Sequence, residues 1–197
     1  MPCTGRFWTD GLWGGRSRYL PVAFQGGRAV IAAGRPRPPC GHGSLLYAAG
    51  MKRTAVVYLS NEALIIAPVI RTTSGVGLEV DPILVNDLTD SEAIRNSLIQ
   101  ALEGSQRIVP HPSQDQWNGF FKPFHDAADV RSFKAFMKNA KSIYIDAAED
   151  YIRLTPLRNL GARGGFEEMA DAAITMAAGD MDSAASTIQK LLTETGS

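Results

Sequence analysis

The sequence predicts an α+β chain in which two pseudo-repeated ββ(β)α units are joined by an aromatic, helical middle segment, behind a disordered N-terminal extension. Three observations predict it. From Ser142, Ile143 and Ile145 alternate with Tyr144 and Asp146, an acidic turn follows over Ala147 to Asp150, and Tyr151, Ile152, Arg153 and Leu154 form a second β-rich run, so this stretch reads as a hairpin. A comparable hairpin with a glycine loop stands earlier, from Ala55 to Gly77. The first fifty residues, by contrast, are rich in Gly, Pro and Arg and show no sustained period, the composition of a chain with little to bury.

The extension, residues 1–50, has six arginines, no lysine and one acidic residue. Arg16, Arg18 and Arg28 interrupt any apolar run of the kind a secretory signal needs. Met51-Lys52-Arg53-Thr54 reads as a natural start, which places the functional domain at 51–197. Cys3 and Cys40 both lie before it, so no disulfide framework is expected in the body, as suits a reducing cytoplasm. The whole chain balances 20 basic against 20 acidic residues, but removing the extension leaves 14 against 19. A mildly acidic body suits a basic protein partner better than nucleic acid. No window approaches the roughly 18 consecutive apolar residues of a membrane span.

Unit one, 53–104, begins with runs at Val56 to Leu59 and Leu64 to Ile66, joined by the turn Ser60-Asn61-Glu62. Pro68, lacking an N–H, is expected to limit the second run. Arg71, a loop with Gly75 and Gly77, and the apolar run Ile83-Leu84-Val85 follow. Thr89 or Asp90 then caps a helix that buries Ile94, Leu98, Ile99 and Leu102, with Gly104 as its C-terminal glycine. Unit two, 142–195, repeats the order: hairpin, Pro156, Arg158, a loop with Gly161, Gly164 and Gly165, Ile174-Thr175-Met176, then Asp180 and Asp182 ahead of Ile188 and Leu192. Asp90 falls over Asp180 and Leu102 over Leu192. An ancient duplication and a chance recurrence of one supersecondary unit both account for this.

Between the units, 105–141 holds the extended Ile108-Val109-Pro110-His111-Pro112 and the aromatics Trp117, Phe120, Phe121 and Phe124, which read as core. Ser132 is a cap for a short helix with Phe133, Phe136 and Met137 inward and Lys134, Lys138 and Lys141 in solvent. The segment is expected to pack between the two units and set their relative angle.

Little here resembles a reaction centre. His111 and His125 are the body's only histidines, and neither has a nucleophile and an orienting acid nearby in sequence, so no catalytic residue is assigned. Two separated histidines without cysteine offer no metal-ligand spacing, and no cofactor motif is present. Gly161-Ala162-Arg163-Gly164-Gly165 lacks the Lys-Ser/Thr of a phosphate loop and leads into Glu167 and Glu168, so it reads as a turn. A hydrolase using His111 and His125 and a nucleic-acid module on Lys134, Lys138 and Lys141 stand as alternatives.

The combination of VPHP at Val109 to Pro112, VRSFKAFMKNAK at Val130 to Lys141 and LTPLRNLGARGGFEE at Leu154 to Glu168 resembles the immunity proteins of bacterial contact-dependent growth inhibition systems, over about Met51 to Thr195. This chain departs from that family in a longer glycine loop and an Ala- and Thr-rich second helix. The resemblance implies a cytoplasmic, non-enzymatic protein that binds and blocks the C-terminal toxin domain of an effector delivered by a neighbouring cell, with no direct nucleic acid or membrane partner. Related toxins are often nucleases. A nuclease holds phosphates on a cationic surface, so an inhibitor gains rate and specificity from carboxylates. The candidate toxin-binding residues are Asp146, Glu149 and Asp150 on one turn and Glu167, Glu168 and Asp171 after the glycine loop, with Tyr151 or Phe166 as aromatic anchor. The two turns are expected to share one rim.

Overall fold

The structure, a computed structural model, describes residues 52–117 and 119–194. The expected disordered extension lies outside them. Unit one supplies β1 (Arg53–Ser60), β2 (Ala63–Thr72), β3 (Gly77–Glu79), β4 (Ile83–Val85) and α1 (Ser91–Gly104). The linker supplies β5 (Ile108–Val109), a 3-10 turn (Gln114–Trp117), α2 (Lys122–Ala127) and α3 (Phe133–Phe136). Unit two supplies β6 (Lys141–Ala147), β7 (Tyr151–Asn159), β8 (Phe166–Glu168), a 3-10 turn (Ala170–Ala172), β9 (Ile174–Ala177) and α4 (Met181–Thr193).

The main path of the sheet runs β3-β2-β1-β6-β7-β8, with β4 and β5 also on β2 and β9 also on β7. The halves share one register. The offset that carries Pro68 onto Pro156 carries the β1–β2 pair Val57↔Ile66 onto the β6–β7 pair Ile145↔Leu154. It also carries the seam pair Ala55↔Ile145 onto its own mirror, Ile143↔Val57. The antiparallel β1–β6 ladder is therefore a pseudo-twofold seam, and it fixes the angle between the units. The middle segment does not sit between them; it lies over one face of the sheet.

Each unit has one more strand than the ββ(β)α reading gave, because the glycine loops lead into β3 and β8. Neither proline ends its strand. In a strand, N–H and C=O of one residue point the same way, and the Pro68 carbonyl accepts from Val80 N while the Pro156 carbonyl accepts from Met169 N. The missing N–H of each proline thus faces the break between two short partner strands, where no ladder bond is required.

Both long helices start on aspartate: Asp90 Oδ1 accepts from Ala93 N at 2.9 Å and Asp180 Oδ1 from Ser183 N at 3.2 Å. Gly104 is not a left-handed C-terminal glycine. It lies inside the last turn, where an added Cβ would meet Pro68 at 3.6 Å, and Ser105 closes the helix through Ala101 and Glu103 carbonyls.

The helix-side face buries Ala55, Val57, Leu64, Ile66, Ile143, Ile145, Ile152 and Leu154 beneath α1 and α4. The opposite face buries Val56, Tyr58, Ile65, Ala67 and Val69 beneath Phe121, Phe124, Phe133, Phe136 and Met137. Ser132 caps α3 as expected, its hydroxyl accepting from Ala135 N, and Lys134 and Lys138 are exposed. Lys141 is not simply solvated; its Nζ donates to the Leu192 and Glu194 carbonyls at the end of α4. Of the four aromatics expected in the core, Phe121 and Phe124 are there, while Trp117 and Phe120 stay half-buried beside His111.

This second face is concave. A flat sheet would hold β8 about 14 Å from β1, at roughly 4.8 Å per strand. Yet the Phe166 ring lies 5.5 Å from that of Tyr58, and the Tyr58 hydroxyl donates to Glu79 Oε2 on β3 at 2.9 Å, so both arms curl inward. Burial pushes the Glu79 carboxyl up to about 7. Below pH 4.5 it is protonated folded or unfolded; as pH rises towards 7 only the unfolded chain ionises freely, so stability falls across that window and stays lower above it. Because the residue as a whole is half-buried, the expected cost is about 2 kcal/mol. Glu79→Gln should therefore be more stable than wild type at pH 8 by about that amount, and within about 1 kcal/mol of it at pH 4. Urea unfolding midpoints across this pH range measure the difference.

Candidate functional site

The pseudo-twofold allows the two halves of the concave face to be compared position by position. Val56, Tyr58, Ala63, Ile65, Ala67 and Val69 on β1 and β2 correspond to Tyr144, Asp146, Tyr151, Arg153, Thr155 and Leu157 on β6 and β7. The first set is apolar and lies under the aromatic lid formed by α2 and α3. The second is mostly polar. The lid reaches Tyr144 and Leu157 and goes no further; Tyr151 is half-buried and Arg153 exposed.

The lid is fastened to the first half by directed bonds. Ser60 Oγ donates to Phe136 O at 2.6 Å, Asn61 Nδ2 to Ala128 O at 2.9 Å, and Asn159 Nδ2 reaches the Met137 and Ala140 carbonyls, each at 2.8 Å. On the open half the groups are charged. The Tyr151 hydroxyl donates to Asp146 Oδ2 at 3.0 Å, and Lys52 Nζ lies 3.7 Å from the same oxygen. The Tyr151 hydroxyl, with Asp146 beside it, holds the Lys52 ammonium above the ordinary lysine range. Arg153 pairs across the ladder with Asp146. Glu168, on β8, is raised by partial burial and by the Asp146 charge, with Arg153 opposing. Glu168 occupies the place that Glu79 occupies in unit one, and Asp146 the place of Tyr58; a closed phenol–carboxyl pair is matched by two neighbouring carboxylates.

Asp146, Tyr151 and Glu168 thus converge, while Glu149 and Asp150 stand exposed on the adjoining turn. Glu167 points the other way and faces Arg158 at 3.8 Å. Asp171 is exposed on a 3-10 turn. The two acidic turns do not share a rim: Glu167 pairs with Arg158 and the Glu149 turn precedes Tyr151, near opposite ends of β7, roughly 25 Å apart at 3.3 Å per residue. Phe166 is no exposed anchor. It is 1% exposed and packs on Tyr58, because the sheet's curl turns it into the core. The acid-seeking reading missed Lys52 and Arg153, although Arg153 sits at an alternating strand position.

The other chemical leads lie elsewhere. His111 Nδ1 meets Ser74 Oγ at 2.8 Å, joining the linker to the β2–β3 turn, and the imidazole's ring neighbour is Trp117 rather than an acid. His125 packs on Phe121 and Phe136, and burial pushes its imidazole below the ordinary range. In the glycine loop, the N–H groups of Gly164 and Gly165 both donate to Gly161 O, so they are not offered to a phosphate; Gly161 and Gly165 take positive φ, as a tight turn requires. Among the described residues, no group of three or more His, Cys, Asp or Glu is placed to hold a metal, and no helix is long and apolar enough to cross a membrane.

No family model matches the sequence, and no curated protein matches it. Solved structures match the fold. One, described as a protein of unknown function, NMB0488 from Neisseria meningitidis, is 15% identical with a TM-score of 0.59 and is matched over 76% of this chain and 98% of that one. Another is a chain of the CdiA-CT/CdiI toxin and immunity complex from Yersinia pseudotuberculosis, 11% identical with a TM-score of 0.57, over 72% of this chain and 95% of that one. At these identities the likeness is one of fold, and it shows that the paired, curled sheet described above is also the architecture of a chain from a toxin and immunity complex.

Proposed function

We propose that this protein is the immunity protein of a contact-dependent growth inhibition system, which binds the C-terminal toxin domain of its effector in the cytoplasm and blocks it without turnover. The observation that carries this reading is the unequal pair of half-faces: one is apolar and covered by the chain's own lid, the other polar and left open, in a fold shared with a chain of the CdiA-CT/CdiI complex. A face built from charges, a tyrosine pair and a threonine is suited to a protein partner with complementary charge. Asp146, Glu149, Asp150 and Glu168 outnumber Lys52 and Arg153 there, which favours a basic toxin such as a nuclease.

Co-expression with the toxin domain encoded beside this chain tests the reading: growth should be restored, and the two proteins should co-purify. His111→Ala with His125→Ala should leave rescue within about threefold of wild type in surviving cells, because both imidazoles serve packing and a loop contact. Loss of rescue by a double variant that still folds would instead favour a hydrolase.

A further inference from the structure

We infer that the open half of the concave face is the docking surface for a lysine- or arginine-bearing segment of the toxin domain, seated over β6 and β7 as residues 121–137 are seated over β1 and β2. This rests on the immunity reading and adds to it the place and the chemistry of contact.

The pseudo-twofold supplies the place. The same backbone frame occurs twice in one sheet, and in unit one it carries a covering segment whose side chains suit it: aromatic rings on Val56, Tyr58 and Ile65. In unit two the corresponding positions hold Tyr144, Asp146 and Arg153, which no aromatic segment could cover without stranding charge. A segment able to cover them must bring its own charges.

Charge complementarity supplies the chemistry. Asp146 and Glu168 approach closely enough that the charge of one opposes ionisation of the other, and a cation placed between them relieves that repulsion. The protein's own cation at Asp146, Lys52, is more than half exposed and held at 3.7 Å, a contact that an incoming guanidinium displaces at little cost. Tyr151 stands beside Asp146 and offers its ring as a wall for the cation. Arg153 makes no ion pair among the described residues and is free to take a carboxylate or carbonyl from the same segment, which sets the orientation.

The test uses the purified full chain and the toxin domain, titrated calorimetrically at low and high salt. Asp146→Lys with Glu168→Lys should weaken binding about 100-fold or more and flatten its salt dependence. Glu92→Lys with Glu103→Lys, an equal change of net charge on exposed positions of α1, should stay within about threefold. Near-wild-type affinity in the Asp146/Glu168 variant would overturn the docking surface while leaving the immunity reading in place; absence of any complex with the wild-type chain would overturn the immunity reading itself. Amide hydrogen exchange of the wild-type chain guards against a variant that fails to fold. Toxin should slow exchange over 144–155, and slowing confined to α1 and α4 would overturn the proposal.

Discussion

Ile65→Arg is expected to unfold the protein at neutral pH, with a loss of about 4 kcal/mol or more. Ile65 is 0% exposed at the centre of the covered half-face, beneath the aromatic lid and opposite Tyr58 on β1. A guanidinium there would meet phenyl rings and no carboxylate; the nearest acid, Glu79, already receives the Tyr58 hydroxyl and resists ionisation. An unpaired charge in that position costs several kcal/mol, a large part of the stability of a domain this size. The mirror change, Arg153→Ile, places isoleucine at the equivalent site of unit two and should alter stability by less than about 1 kcal/mol, since Arg153 is exposed and a β-branched residue suits a strand. The same two side chains are exchanged between matched backbones, so a difference of several kcal/mol isolates the covering lid as the cause. Urea unfolding followed by far-UV circular dichroism measures both. If the two variants lost similar stability, the contrast between the half-faces would be wrong.

That contrast was partly legible in the sequence. Val56 to Leu59 and Leu64 to Ala67 are continuous apolar runs, the pattern of strands buried on both faces, whereas Ile143 and Ile145 alternate with Tyr144 and Asp146, the pattern of strands buried on one. The repeat itself was legible because proline, glycine loop and aspartate cap recur in order, and each has a local physical cause. What the sequence hid depends on nonlocal geometry. Curl decides that Phe166 enters the core while the adjacent Glu167 faces Arg158. The gap between β8 and β9 lets a strand run through Pro156. The seam between β1 and β6 makes the linker a cover rather than a spacer. Arg153 went unassigned because the search began from carboxylates, and Lys52 because nothing local links it to a turn almost a hundred residues later.

Phe136→Ala should cost about 3 to 5 kcal/mol, the range for removing a large buried aromatic. Phe136 is 0% exposed; its ring meets Tyr58 edge-on at 5.4 Å and Phe121 at 5.0 Å, and its carbonyl receives the Ser60 hydroxyl. The helix α3 has only four residues, too few to persist by backbone bonding alone, so its packing holds it in place. Losing the ring therefore removes an anchor of the lid as well as filling volume. Lys134→Ala, an exposed change on the same helix, should fall within about 0.5 kcal/mol of wild type. The core beneath α1 and α4 lies on the opposite face of the sheet, so the loss should appear first as faster amide exchange over 121–137, with the helix-side strands exchanging later. A Phe136→Ala protein within about 1 kcal/mol of wild type would show that the lid is not part of the core. The folded fraction of this variant should still bind toxin with wild-type affinity, because the lid covers the half-face that the partner does not use.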